Sequence, residues 1–307
     1  MGPMGQDRPF GRVAVVTGAA RGVGAATARR LAGCGLRVAL LGRELESLRQ
    51  VAAGLPTETC CFEVDVTDEP TLLGTARAVR ARLGPASVVV ANAGIAIAGS
   101  FAASETALFN RVIEVNLIGS ANTARVFLPQ LVETGGYFLQ IASTASFGSA
   151  PLMSAYCASK TGVESFAQAL RTELRPEGVD VGIAYLHWTG TDMIDALDEH
   201  PVLRALRSHQ PAFAQRVYTS DRVAAWLTHG IRRRATSVYA PPWLRLVQPL
   251  RPLLPLLVSG VARRVFSGPP DDDLRLAAHV LGAGGRADWD QERPGAPPPP
   301  PVSPPQL

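Results

Sequence analysis

At 307 residues, with 47% hydrophobic and 18% charged side chains, the chain has the balance of a globular protein with a sizeable core, which excludes a disordered or membrane-embedded class. A formal charge of +4 and a pI near 9.1 look basic, but the arginines are interleaved with Asp and Glu, which argues for a solvated surface and no nucleic-acid partner. Cys34, Cys60, Cys61 and Cys157 show neither zinc spacing nor disulfide density, and no apolar signal region opens the chain, so the expectations are a reducing, cytoplasmic setting and no metal.

Residues 1–10 read as a loose leader. From there to about residue 240, short apolar runs alternate with helical stretches, the pattern of a parallel sheet covered by helices in one domain, 11–240. The expected strands are Val13–Thr17, Arg37–Leu41, Thr59–Val64, Ser87–Ala91, Gly136–Ala142, Asp180–Leu186 and a short one near Val238, all aliphatic enough for burial on both faces. The fold class is therefore α/β, a Rossmann-type doubly wound sheet of about seven strands. Cys60 and Cys61 should point to opposite faces of their strand, one buried and one exposed. Helices are expected at Val23–Ala32, Leu45–Ala53, Thr71–Leu83, Ala107–Val132 and Ala155–Leu174.

Beyond Tyr239 the composition changes to a Leu/Pro/Arg-rich extension, residues 241–285. Pro249, Pro252 and Pro255, with Arg245 and Arg251, argue against a membrane-spanning helix. The extension is expected to cap a pocket or cover a subunit interface, in preference to peripheral membrane contact with its arginines toward lipid phosphates. Residues 286–307, ending PGAPPPPPVSPPQL, lack the apolar area to offset ordering and are expected to be disordered or polyproline II.

In VAVVTGAARGVGAATARRLA, a buried strand runs into Gly18, Gly22 and Gly24 and then into a helix. Such a turn lets backbone amides approach a pyrophosphate at a helix N-terminus. At the end of the second strand, Leu41-Gly42-Arg43 offers no carboxylate for a ribose hydroxyl. Arg43, helped by Arg21, suits the extra phosphate of NADP(H). Farther on, Tyr156 and Lys160 share one helix face, and Lys160 is the single lysine among 30 basic residues. A phenol becomes a useful proton donor or acceptor near neutral pH when a cation stabilises its anion.

TGAARGVG, Asn92-Ala93-Gly94, Asn116, Ser143 and Tyr156-Cys157-Ala158-Ser159-Lys160 follow one another in an order and spacing that resemble the short-chain dehydrogenase/reductase (SDR) family over roughly residues 10–195. The resemblance implies an NADP(H)-dependent oxidoreductase that interconverts an alcohol and a ketone or aldehyde. It implies that Tyr156 is the general acid or base, that Ser143 hydrogen-bonds the substrate oxygen, and that Lys160 lowers the Tyr156 pKa and holds the nicotinamide ribose. Asn116 would kink its helix and help position a relay water. Cofactor contacts are implied for Gly18, Arg21, Gly22, Val23, Gly24, Arg43, Asp65 and Val66 beside the adenine, Asn92, Ala93, Gly94, Tyr156, Lys160, Thr189 and Thr191.

One departure is Leu186-His187, where the family has Pro-Gly; His187 is expected to be structural and Trp188 to shape a pocket wall. The pocket segments of the family correspond here to Ile95, Ala96, Ile97, Phe147, Leu152, Met153, Met193, Ile194 and Leu197, which favours an apolar, lipid-, steroid- or polyketide-like substrate. The helices ending near Val132 and Leu174 imply a homodimer or homotetramer. Competing readings are a non-catalytic NADP-binding regulator or scaffold that uses its C-terminal segment as a partner or membrane contact, and an isomerase or dehydratase on the same fold.

Overall fold

The computed structural model describes residues 12–148, 150–199, 204, 207–265 and 279–292. Its centre is a seven-stranded parallel sheet of β1 (Val13–Thr17), β2 (Arg37–Gly42), β3 (Thr59–Glu63), β4 (Val88–Ala91), β6 (Tyr137–Ser143), β7 (Asp180–Leu186) and β10 (Ser237–Ala240), in the order β10-β7-β6-β4-β1-β2-β3. The run VAVVT of β1 is buried throughout. Val13 and Val15 enter one core cluster and Ala14 and Val16 the other, as a strand covered on both faces requires. Helices α3 (Glu69–Leu83), α5 (Gly119–Thr134) and α6 (Ser154–Leu174) cover the first face. On the second lie α1 (Gly22–Gly33), α2 (Leu45–Ala53) and α8 (Ser220–Arg232).

The chain winds outward from β1 to β3, then returns to place β4 on the other side of β1. That reversal opens a crevice above the carboxyl ends of β1 and β4, the place where doubly wound sheets bind ligands.

Local signals explain most element ends. Asp68 caps α3 by accepting from the Thr71 amide at 3.1 Å, with a proline in the first turn, and α5 ends on Gly135 in the left-handed conformation. The expected helix Ala107–Val132 is instead α4 (Thr106–Ile113), a π-helical turn Glu114–Ile118, and α5. Asn116 sits inside the π turn, turned toward the Ile95 backbone, and such bulges re-aim a single side chain without ending the helix. Cys60 and Cys61 do pack toward opposite cores, but Cys61 is half-buried, not exposed.

Elements outside the sequence expectation are β5 (Ala96–Ala98), α7 (Asp192–Glu199), the two-residue pair β8 (Thr189–Gly190) and β9 (Tyr218–Thr219), and α8. For α8 the signal was present: Val223, Leu227 and Ile231 recur every fourth residue behind a Thr219 cap.

In the extension, a short helix (Leu244–Val247) and a 3₁₀ segment (Gln248–Leu253) lead into α9 (Leu254–Val265). Among the described residues, no helix is long and apolar enough to cross a membrane. The strand β11 (His279–Leu281) pairs antiparallel with β5, and α10 (Gly282–Glu292) follows it. Residues 286–292 are thus helical where composition predicted a disordered tail. The reason is tertiary: Trp289 packs against the cluster of Val66, Ile95 and Val112, and Asp288 is ion-paired. The leader 1–10 and the stretch 293–307 lie outside the described residues.

Candidate active site

A cavity of about 770 Å³ occupies the crevice, and Gly18, Gly22 and Gly24 line part of it. Gly18 and Gly22 have φ of +62° and +53°, which favour glycine. A Cβ on Gly24 would fall on the Gly18 carbonyl oxygen and 2.6 Å from Asn92 Nδ2. The turn therefore keeps its backbone bare at the start of α1, which fits the pyrophosphate of a dinucleotide. Thr17 locks the neighbouring strand end, since its hydroxyl accepts from the Asn92 and Ala93 amides at 3.0 Å each. Asn92 Nδ2 donates to the Thr17 and Gly18 carbonyls, so this side chain braces the turn. Thr191 packs its methyl against Gly22, and its hydroxyl donates to the Thr189 carbonyl.

At the other end of the cleft, acids and arginines alternate. Arg21 is ion-paired with Glu44 and lies 3.7 Å from Asp192. Arg43 is paired with Asp65 at 3.4 Å and, more closely, with Asp288. The Asp65 carboxylate accepts from the Thr67 amide and hydroxyl and from Arg111 at 2.6 Å. Burial works to raise its pKa, but these donors prevail and hold it below the usual carboxylate range. Sequence reasoning missed Glu44, Arg111 and Asp288. Glu44 directly follows Arg43 and was legible; Asp288 is brought in from 245 residues away and carries no local signal.

Over the sheet's centre lie the hydroxyls. Ser143 ends β6 and Tyr156 sits in the first turn of α6, and both line the cavity. Burial pushes Tyr156 up to about 12, against the opposing effect of the nearby Ser143 side chain, so here the phenol lies above its ordinary value and not below it as the resemblance implied. Lys160, one turn on, is 5% exposed, donates to the Ile141 carbonyl at 3.3 Å, and is brought down to about 8 by burial. Its Nζ is 5.7 Å from the centre of the Tyr156 ring. Asn116 lies behind the cavity wall. Its Oδ1 accepts from the Ile95 amide at 2.8 Å while Nδ2 donates to the Ile95 carbonyl and Ser159 Oγ, both at 2.9 Å, tying the start of β5 to α6.

His187 is fixed: Nε2 donates to the Ala214 carbonyl at 2.7 Å, so Nδ1 accepts from the Thr144 hydroxyl at 3.1 Å. Burial lowers its pKa to about 4, which makes it a neutral brace between β7 and the segment after Ser143. Trp188 lines the cavity and donates to Gln210 Oε1. Much of the remaining wall is apolar, with Phe147, Met153, Leu197, Trp243, Leu254 and Val258, and Arg207, His209 and Gln210 add polar groups to it. Ile95, Met193 and Ile194 also reach it, but Ala96 and Ile97 do not: they belong to the β5–β11 ladder. Leu152 is likewise outside the wall, held at φ +65° and packed against the neighbouring cluster.

The whole set of cofactor positions read from the sequence, with Ser143, Tyr156 and Lys160, lines this one cavity; Asn116 alone stands behind it. A family model described as short chain dehydrogenase matches residues 12–201. The chain is 32% identical over 239 residues to glycine betaine reductase ATRR of Emericella nidulans and 30% identical over 252 residues to the probable oxidoreductase EphD of Mycobacterium tuberculosis. Those alignments cover 76% and 78% of this chain but only 18% and 40% of the relatives, so it spans less than half the length of either. Human estradiol 17-beta-dehydrogenase 11 is 26% identical over 84% of both chains. Among solved structures, a metagenomic short-chain oxidoreductase in complex with NADP matches with TM-score 0.58 and 28% identity, covering 71% of this chain and 90% of its own. A Mycobacterium paratuberculosis short chain dehydrogenase bound to NAD matches with TM-score 0.65 and 25% identity, covering 76% and 97%.

Proposed function

This chain belongs to the short-chain dehydrogenase family, and from that premise we propose that it is an NADP(H)-dependent oxidoreductase interconverting an apolar alcohol with its ketone or aldehyde. The observation that carries the reading is that Ser143 and Tyr156 line one cavity together with Lys160, one helical turn along α6 from Tyr156. When bound, the cofactor supplies or accepts the hydride at the carbonyl carbon. Tyr156, protonated at neutral pH, donates a proton to the carbonyl oxygen in reduction, and Ser143 hydrogen-bonds that oxygen. Lys160, with a pKa near 8, is mostly cationic at pH 7 and favours the phenolate left behind.

The choice of NADP(H) is supported by Arg43 and Arg111, whose guanidinium groups meet beside Asp65. An apolar substrate is supported by the cavity wall, and a relative named for estradiol is in keeping with it. The described residues 241–265 of the extension serve in this reading as the cap of the substrate half.

The test is NADPH consumption by the wild-type protein and Tyr156→Phe, with NADH in parallel, against a panel of apolar ketones and aldehydes. Wild-type turnover should fall roughly 100- to 10,000-fold in the variant, with NADPH affinity unchanged. Tight NADPH binding by wild type without turnover of any panel member would sink the catalytic reading. Turnover confined to small charged carbonyl compounds would sink the apolar substrate.

A further inference from the structure

We propose that Asp288 is a built-in competitor for the adenosine 2'-phosphate, so that the C-terminal helix α10 sets the preference between phosphorylated and unphosphorylated cofactor. The inference rests on the assignment of Arg43 to that phosphate. Asp288 holds the Arg111 fork with both oxygens, Oδ1 to Nη2 and Oδ2 to Nε at 2.8 Å each, and the same Oδ1 pairs with Arg43. The carboxylate is 8% exposed. It makes on these two arginines the bidentate, charge-assisted contact that a phosphate would make.

Charge counting decides which group must leave. Among the described side chains, the two arginines face two enclosed carboxylates, Asp65 and Asp288, and Glu114 stands 3.9 Å from Arg111 at the exposed rim. The described set of two arginines and two carboxylates carries no surplus positive charge. A phosphate dianion added to it would leave an uncompensated buried negative charge, which is strongly unfavourable. Asp65 is also fastened to the Thr67 amide and hydroxyl beside β3. Asp288 rides on a C-terminal helix held through β11, Trp289 and α7, and its own side-chain contacts are to the two arginines.

The placement of α10 fits exchange better than permanent closure. Its first turn contains Gly282, Gly284 and Gly285, which line the cavity together with Gly18 and Gly22. Among the described residues, a Cβ on Gly284 would meet only Arg21 Cδ, at 3.7 Å. Such a turn roofs the pyrophosphate-binding glycines without filling the space beneath them, while the carboxylate farther along occupies the arginines. A cofactor with a ribose hydroxyl leaves that ion pair in place; one with a 2'-phosphate has to displace it.

The experiment is titration of NADPH and NADH into the full chain and into Asp288→Asn, Asp288→Glu and Arg43→Leu, followed by calorimetry. Asp288→Asn should tighten NADPH binding about tenfold or more and change NADH by less than twofold, because removing the closed state restores the intrinsic affinity. Asp288→Glu should keep the wild-type ratio. A parallel shift for both cofactors would overturn the proposal in favour of a purely structural role, and loss of NADH binding alone would do so in favour of a ribose contact. Arg43→Leu separates the two failures. If it leaves NADPH affinity unchanged, the phosphate assignment itself falls; if it weakens NADPH while Asp288→Asn strengthens nothing, only the competitor does.

Discussion

Arg251, in the C-terminal extension, lies 2.6 Å from the Glu164 carboxylate on the helix that carries Tyr156 and Lys160. Glu164 also accepts from the Tyr185 hydroxyl at 3.0 Å, and Arg251 Nη2 donates to the Ser146 carbonyl, three residues beyond Ser143. The extension is thereby fastened to the helix that carries Tyr156 and to the segment that follows Ser143. An arginine that composition would allow to face lipid instead turns inward over the Phe147 ring.

Breaking this pair from one side leaves a nearly buried carboxylate uncompensated. Arg251→Met should therefore destabilise the protein by about 2–4 kcal/mol, less than for a fully enclosed pair because the arginine is a third exposed. The double variant Arg251→Met with Glu164→Met should recover most of that loss. Urea denaturation of the four forms measures the cycle, and additive losses would show that the pair is not coupled. If the extension caps the substrate half, the double variant should still raise KM for apolar substrates while NADPH affinity holds.

Lys160 is held against its solvation preference. Its pKa falls from 10.5 to about 8 on folding, so between those values the unfolded chain keeps a proton that the folded chain has lost. Stability therefore rises with pH through this window, and the full penalty applies below pH 8. At 1.36 kcal/mol per tenfold change in proton affinity, the penalty is roughly 3 kcal/mol. Lys160→Met should be more stable than wild type at pH 7 by about 1–3 kcal/mol, allowing for the lost bond to Ile141, and the advantage should shrink as pH rises from 8 to 10.5. Its turnover should be lost. Denaturation midpoints at pH 7 and pH 10 test this, and a variant less stable than wild type at pH 7 contradicts it.

Two glycines of α1 make a matched contrast. Gly24→Ala drives a Cβ into the Gly18 carbonyl and should cost about 1–3 kcal/mol, with at least about a tenfold loss in cofactor affinity as the turn shifts. Gly33→Ala meets nothing within 4 Å and should be neutral or gain up to about 1 kcal/mol through a less flexible unfolded chain. Thermal melts and NADPH titrations of both variants check the pair; equal behaviour would mean that the close packing at Gly24 is not what selects glycine.

The sheet was legible because each strand carries its own apolar run. Val13–Thr17 and Asp180–Leu186 are observed with the bounds read from the sequence, and the other strands with shifts of a residue or so. The glycines, Ser143, Tyr156 and Lys160 were legible for a similar reason, since each is marked by a local pattern or by rarity. Asp65 shows the limit. Its segment was recognisable, but which donors hold its carboxylate depends on Arg111 from another helix.

What the amino-acid sequence determined by itself was the alternation of strands and helices, the bare turn at Gly18 to Gly24, and the one-turn spacing of Tyr156 and Lys160, all consequences of periodicity and backbone sterics within a few residues. Only the tertiary structure decided where the extension goes. Leu244 and Leu254 are turned inward while Leu246 and Leu256 stay exposed, Arg251 finds Glu164, and Asp288 reaches Arg43 and Arg111. A charge selects its partner by distance in space. Nothing in a Leu/Pro/Arg-rich stretch or a short acidic helix states which buried ion across the molecule will compensate it.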